Sequence, residues 1–290
     1  MENIEGKQII VIGGAGFVGS HLCEFLCCEN SVLSIDNYLS GSENNHVDRV
    51  TYIKGSSLNI SDLAADFSPD IIFHLGEFSR VESSYERYDL IIDNNLIPFT
   101  AVLNYAREKN AKLIYSGSST KFAHYPVGDS QSPYAWVKKI NTEHLINFSS
   151  WFGLDYAIVY FYNVYGGNEI TDGQFSTVIG KFKKLVSEGA TSLPVVKPGH
   201  QLRNFTHYSD IISGLVAVAL KGSGDGFGIG SDRAVAMLDI VKFLKCTPHY
   251  IPARRGNRMS ADLVTSATRE LGWRPKIDIE DHLAEFLQKY

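Results

Sequence analysis

Apolar residues fall along this chain in short unbroken runs separated by longer stretches of helical spacing. The run Ile9-Ile10-Val11-Ile12 leads into the glycine-rich turn Gly13-Gly14-Ala15-Gly16, after which Leu22, Phe25 and Leu26 recur as on one helix face. A segment apolar at every position suits a parallel strand covered on both faces. Comparable strands are predicted at Ser31–Ile35, ending at Asp36, at Val50–Lys54, at Ile71–Leu75, at Leu113–Tyr115 and at Tyr156–Tyr160. Between them, helical spacing spans Tyr85–Lys109, where Pro98 starts or kinks the second part, and a helix is predicted from Pro133 to about Phe152. Strand and helix alternate, which predicts an α/β fold with a doubly wound parallel sheet. Beyond Asn163 the rhythm changes to helices at Val178–Glu188 and Ile211–Leu220 and an extended piece at Leu193–Val196. From Leu238 to Tyr290 two or three short helical periods are expected, with no long strand run.

The turn after the first strand matches G-x-G-x-x-G at Gly14, Gly16 and Gly19, and G-x-x-G-x-x-G from Gly13. Glycine there serves a tight turn, close approach of backbone to a diphosphate, and tight helix-on-strand packing. The helix start at Phe17 and Val18 offers free N–H groups and the positive dipole end. Glycines also mark ordinary turns, but here a strand precedes, a helix follows, and a second strand ends in an acid. Asp36 lies 20 residues past Gly16, where a carboxylate meets the adenosine ribose hydroxyls of a dinucleotide. An acid at that place repels a 2′-phosphate, which favours NAD over NADP. Residues 1–165 are therefore expected to form a Rossmann-like NAD-binding domain, with returning segments near 203–235. Residues 166–290 are expected to form mainly a smaller substrate-binding lobe.

Composition narrows the field. With 290 residues, 44% hydrophobic and 20% charged, the chain can bury a large core. A net charge of -5 argues against nucleic-acid or anionic-membrane partners. No apolar run approaches the roughly 20 residues that span a bilayer, and the polar start is unlike a signal peptide, so a cytoplasmic location is expected. Cys23 and Cys27 share a helix face, but no second ligand pair stands at metal spacing. Buried reduced thiols, and no metal, are the expectation.

A second pattern is Tyr134-Ala135-Trp136-Val137-Lys138. Residues four apart on a helix project together. A phenol with an ordinary pKa near 10 is a poor base at neutral pH, and a neighbouring cation stabilises its phenolate. Such a tyrosine takes a proton from a hydroxyl while hydride leaves the same carbon. Alone, five residues of this kind also fit an incidental surface helix. Ser116-Gly117-Ser118-Ser119-Thr120, however, closes a predicted strand at its carboxyl end, where open parallel sheets bind ligands.

With these segments in this order, nearly the whole chain resembles the extended short-chain dehydrogenase/reductase family, in its NAD-dependent nucleotide-sugar epimerase/dehydratase branch. The family's glycine loop matches Gly13, Gly16 and Gly19, its NAD-selecting acid Asp36, and its Tyr-x-x-x-Lys pair Tyr134 and Lys138. Its strand-end serine or threonine matches Ser118, its His-Leu-Ala-Ala pattern His74-Leu75-Gly76-Glu77, and its helix asparagine Asn95. Asn163-Val164-Tyr165-Gly166, Arg203-Asn204-Phe205 and Leu271-Gly272-Trp273-Arg274-Pro275 match further signatures. The resemblance implies a catalytic set of Tyr134, Lys138 and Ser118. It implies a cofactor set of Gly13, Gly16, Phe17, Val18, Gly19, Asp36, Asn37, Leu75, Gly76, Asn95 and Lys138, the last bonding the nicotinamide ribose. Ser118, Ser119, Asn163, Arg203, Arg254 and Arg258 are the implied substrate-binding residues. Arg255 is a further phosphate candidate, and for at least one of Arg254, Arg255 and Arg258 a solvated basic turn accounts for the residue about equally well.

The activity implied is NAD-dependent 4-epimerisation of a nucleotide sugar through a 4-keto intermediate. The dehydratases of the branch carry Asp-Glu after the catalytic serine or threonine, and its decarboxylases keep a glutamate there. Ser119 and Thr120 stand here instead, which demotes both reactions. A C4 dehydrogenase and a catalytically silent NAD-binding sensor or scaffold remain as alternatives. Glu77 and Arg80 depart from the small residues usual at the strand end; Glu77 is expected to pair with Arg80 in preference to serving as an extra acid/base group. Two helices, near Pro98–Lys109 and Pro133–Phe152, resemble those that pair between subunits, implying a homodimer.

Overall fold

The computed structural model describes residues 3–124, 131–253 and 258–289. Its principal strands in chain order are β1 (Gln8–Ile12), β2 (Ser31–Asp36), β3 (Val50–Lys54), β4 (Ile71–His74), β5 (Lys112–Ser118), β6 (Tyr156–Phe161), β7 (Ser192–Val196), β8 (Gly224–Ile229) and β9 (Thr247–Ile251). The principal helices are α1 (Phe17–Leu26), α2 (Ile97–Glu108), α3 (Pro133–Phe152), α4 (Val178–Ser187), α5 (Tyr208–Lys221), α6 (Met237–Phe243) and α7 (Ile279–Leu287). Seven strands form one sheet in the order β8-β6-β5-β4-β1-β2-β3, every pairing parallel. The chain leaves β1 toward one edge and returns at β4 to build the other. The crevice between the ends of β1 and β4 is thus the topological switch point, where such sheets bind ligands.

The unbroken apolar runs are explained by burial on both faces. Val11 packs with Leu22, Leu26, Ile211, Leu215 and Trp273 on the side of α1 and α5. Ile10 and Ile12 pack with Phe99, Leu103, Leu145 and Phe148 on the side of α2 and α3. Local chemistry sets the bounds of α3: Ser132 accepts from Ala135 N at 3.1 Å, Pro133 occupies the first turn, and Gly153 ends the helix with φ +73°.

Ahead of α2, the helix that begins at Tyr88 winds as a π-helix over Ile92–Leu96. Pro98 lacks the N–H that would bond back to residue 94 and its ring crowds that carbonyl, so the wider winding is a physical accommodation. A third apolar cluster joins Tyr165, Ile179, Phe182, Leu193, Phe205, Ile240 and Leu283 from later segments. The end of the chain is anchored where Trp273 Nε1 donates to Asp210 C=O at 3.1 Å and to Ser213 Oγ at 2.9 Å.

One element departs from the expectation for the tail. Thr247–Ile251 is a strand, paired parallel with β7. Its residues are largely exposed and carry no apolar run. Pairing with β7 makes it a strand, and local pattern does not show it. Among the described residues, no helix is long and apolar enough to cross a membrane.

Candidate active site

The carboxyl ends of β1, β4 and β5 open onto a cavity of about 670 Å³, walled on its far side by segments of the third apolar cluster. At the floor, β1 runs into Gly13, whose φ of +86° is left-handed. A Cβ on Gly13 would lie 2.5 Å from Gly76 Cα, so the turn and the end of β4 touch backbone to backbone. A Cβ on Gly19 would run into the Gly13 carbonyl oxygen, so glycine there lets α1 start directly against the turn. No side chain caps α1, and its first-turn N–H groups lack intrahelical acceptors. Asp36, at the end of β2, accepts from Ala15 N at 3.0 Å and Tyr38 N at 2.8 Å. Burial raises its carboxyl pKa above the usual range despite those bonds.

Beside this floor stands a buried polar network. Glu77, with 2% of its side chain exposed, forms an ion pair with Lys138. It also accepts from Tyr115 Oη at 3.2 Å and Asn141 Nδ2 at 3.1 Å. The same Asn141 amide donates to Asn95 C=O at 2.8 Å, a carbonyl in the π-helical turn. Lys138 Nζ further donates to Ser116 C=O at 2.6 Å. Glu77 therefore pairs with Lys138 and not with Arg80, which corrects the expectation from sequence. A carboxylate sealed at this depth needs a charged partner, and Lys138 projects from α3 directly into its reach. His74, at the end of β4, is wholly buried with both ring nitrogens unpartnered, and burial lowers its pKa to about 4.

Tyr134 and Lys138 both line the cavity, together with Ser118, Ser119 and Thr120 at the end of β5. Ser118 Oγ accepts from Thr120 Oγ1 at 2.9 Å, which leaves its own proton available to a ligand. Arg258 reaches Ser119 Oγ through both terminal nitrogens at 3.2 Å. Arg203 donates to Arg258 C=O at 2.9 Å, and burial followed by the charge of Arg258 lowers its pKa to about 10. Asn163 also lines the cavity, with its side-chain oxygen buried and unpartnered.

The cavity thus gathers Gly13, Gly16, Phe17, Val18, Gly19, Asp36, Asn37, Leu75 and Gly76 at one end, and Ser118, Ser119, Tyr134, Lys138, Asn163, Arg203 and Arg258 toward the other. Arg254 and Arg255 lie outside the described residues. Asn95 does not line the cavity: its side chain is buried, accepting from Phe78 N at 2.7 Å and donating to Phe78 C=O at 3.0 Å. Asn94 lines it instead and accepts from Asn37 Nδ2 at 2.7 Å. Both residues lie in the π-helical turn, and Asn94, not the asparagine that the resemblance points to, lines the cavity. Phe175 and Gln201 also line the cavity and came from no motif.

Comparison with known proteins agrees with this geometry. A model of the NAD dependent epimerase/dehydratase family matches residues 9–230. The chain belongs to that family. It is 24% identical to a UDP-glucose 4-epimerase of Mycolicibacterium smegmatis over 97% of each chain. It is 25% identical to a UDP-N-acetyl-alpha-D-glucosaminuronate decarboxylase of Bacillus cytotoxicus, also over 97% of each. Among solved structures, the UDP-glucose 4-epimerase of Thermotoga maritima with UDP-glucose is similar with a TM-score of 0.89 at 24% identity. That match covers 97% of this chain and 99% of that one.

As a member of the family the protein is an NAD-dependent enzyme. The residues present fit the cofactor. The bare glycine turn and uncapped start of α1 leave room and donors for a diphosphate, and Asp36 offers a carboxylate at the end of β2.

Proposed function

We propose that this chain is a nucleotide-sugar 4-epimerase that works through a 4-keto sugar. The observation that carries the reading is the pair after Ser118. Ser119 and Thr120 place hydroxyls where elimination of water calls for a carboxylic acid and base, and those hydroxyls are engaged by Arg258 and Ser118. Glu77, the carboxylate in the wall nearby, is sealed and charge-paired with Lys138. Oxidation at C4 without elimination leaves reduction of the keto sugar on its other face as the completing step.

In this reading Tyr134 takes the proton of the sugar C4 hydroxyl and gives it back after inversion. Ser118 donates a hydrogen bond to the same oxygen, and Lys138, fixed by Glu77 and the Ser116 carbonyl, presents its charge beside them. Bound NAD would supply reversible hydride exchange with sugar C4. Gly13, Gly16, Phe17, Val18, Gly19, Asp36, Asn37, Leu75 and Gly76 would hold it. Arg203 and Arg258 meet the diphosphate of the substrate as planar forks, and Asn163 offers its unpartnered amide oxygen to the ligand. The relatives named for UDP-glucose epimerisation and for decarboxylation of a UDP-uronic acid support a nucleotide sugar as the substrate class.

The test is to incubate purified protein, without added cofactor, with a panel of UDP-, GDP-, CDP- and dTDP-sugars and read sugar configuration by NMR. A C4-inverted product without net NADH is the expected result. Tyr134→Phe should lower turnover by about 10²–10⁴-fold while NAD stays bound; unchanged turnover would remove Tyr134 from the mechanism. We further propose a homodimer through α2 and α3. Ile97 is 47% exposed, Trp136 40%, Trp151 67% and Phe152 50%, a set of large apolar side chains at the surface of these two helices.

A further inference from the structure

Arg80, Arg203 and Arg258 all line the cavity, and they are not held alike. Arg203 and Arg258 are interlocked through the Arg258 carbonyl, and Arg258 is bonded to Ser119. Arg80 stands apart, on the segment that follows β4. That segment is fixed, because Asn95 clamps the N–H and C=O of Phe78 two residues earlier.

Every acceptor Arg80 meets is neutral. Its Nη2 donates to Phe175 C=O, its Nη1 reaches Ser79 C=O at 3.5 Å, and its guanidinium lies 5.9 Å from the centre of the Phe175 ring. Its Nε is buried and has no hydrogen-bond partner. Among the described residues, no carboxylate stands within ion-pair distance of it; Glu77, the acid three residues earlier, is committed to Lys138. Tyr134, Phe78 and Phe175 share one apolar cluster, which places the guanidinium at the Tyr134 end of the cavity.

A half-buried guanidinium with a sealed Nε, and with only carbonyls and an aromatic ring as partners, lacks the counter-charge that normally offsets its desolvation. The partner that suits its free edge is a planar anion with two acceptor oxygens. On the reading proposed above, what sits beside Tyr134 is the sugar, while the diphosphate goes to Arg203 and Arg258. We propose that Arg80 recognises a carboxylate on the sugar, so that the substrates are acidic nucleotide sugars of the hexuronic type. This inference rests on the nucleotide-sugar reading of the cavity. A neutral hexose brings a hydroxymethyl group to the same place and leaves Arg80 without a counter-ion. Polar sites built for a partner discriminate strongly against a ligand that lacks it.

The experiment is calorimetric titration of the NAD-loaded protein with matched pairs. UDP-glucuronic acid is compared with UDP-glucose, UDP-galacturonic acid with UDP-galactose, and GDP-mannuronic acid with GDP-mannose, with UDP and GDP alone as references. In at least one pair the acid should bind at least tenfold more tightly than its neutral partner. Arg80→Gln should reduce that acid-to-neutral ratio at least tenfold, and Arg80→Lys should restore part of it. No preference for the acid in any pair overturns the proposal. So does an Arg80→Gln effect of equal size on acid, neutral sugar and bare nucleotide, which would assign Arg80 to the diphosphate or to holding Phe175. Product analysis is read separately: an acid that binds by this rule but loses CO2 without C4 inversion contradicts epimerisation and leaves the role of Arg80 standing.

Discussion

Glu77 occupies a position at which a side chain of its size and charge must be compensated from all sides, and the compensation reaches into the catalytic pair. Its partners Lys138, Tyr115 and Asn141 come from α3 and β5, so the carboxylate cross-links the end of β4 to both. Glu77→Gln keeps the shape but leaves the Lys138 ammonium buried without its counter-charge. A loss of about 3–5 kcal/mol in urea unfolding is expected, and a loss under ~1 kcal/mol would mean that water already screens the pair. His74, three residues before Glu77 at the end of β4, gives a pH signature. Its pKa is about 4 when folded and 6.5 when free, so between those values the unfolded chain binds more protons. The stability associated with neutral His74 is complete above pH 6.5 and is lost as pH falls toward 4. Relative to wild type, His74→Leu should gain up to about 1.4 kcal/mol for each unit by which pH falls across that window. A constant difference between the two proteins would show that the imidazole is not held neutral. The sequence singled out Glu77 and Arg80 as departures but assigned them to each other. Nothing in the order of residues tells which cation a buried acid will meet when the second one arrives from a helix some 60 positions later.

At the level of elements, the parts that could be read in advance are those whose cause is local. β1 and α1 follow from an apolar run, a glycine turn and helical spacing; α3 follows from Ser132, Pro133 and Gly153. The parts that could not be read arise from distant partners. β9 is a strand because β7 lies beside it, and the carboxylate of Glu77 finds its cation on α3. Candidate cofactor residues on the glycine turn were legible because close backbone approach leaves glycine no substitute. That constraint gives its own test. Gly19→Ala would push a methyl group into the Gly13 carbonyl and displace α1 from the turn. NAD affinity should fall by at least roughly tenfold in fluorescence titration, about 1.4 kcal/mol. Unaltered affinity would mean that the turn is not where the diphosphate is held.

For the molecule as a whole, the seven-stranded sheet supplies a rigid floor, and the cavity forms where later segments close over the switch point. Ile97, Trp136, Trp151 and Phe152 are exposed on α2 and α3 and do not line that cavity, and it is there that the proposed homodimer would join its second copy. Sedimentation at micromolar concentration should give a dimer, and Trp151→Glu should shift it toward monomer; a monomeric wild type would leave those side chains without the proposed role. The catalytic claim has a more direct test. A nucleotide sugar from the panel that turns over is prepared with deuterium at C4 and incubated with the purified protein, and the product is read by NMR. The account predicts a C4-inverted sugar that retains deuterium at C4, with no net reduced cofactor. Deuterium found at C6 of a dehydrated product, or a keto sugar accumulating with reduced cofactor, would contradict it.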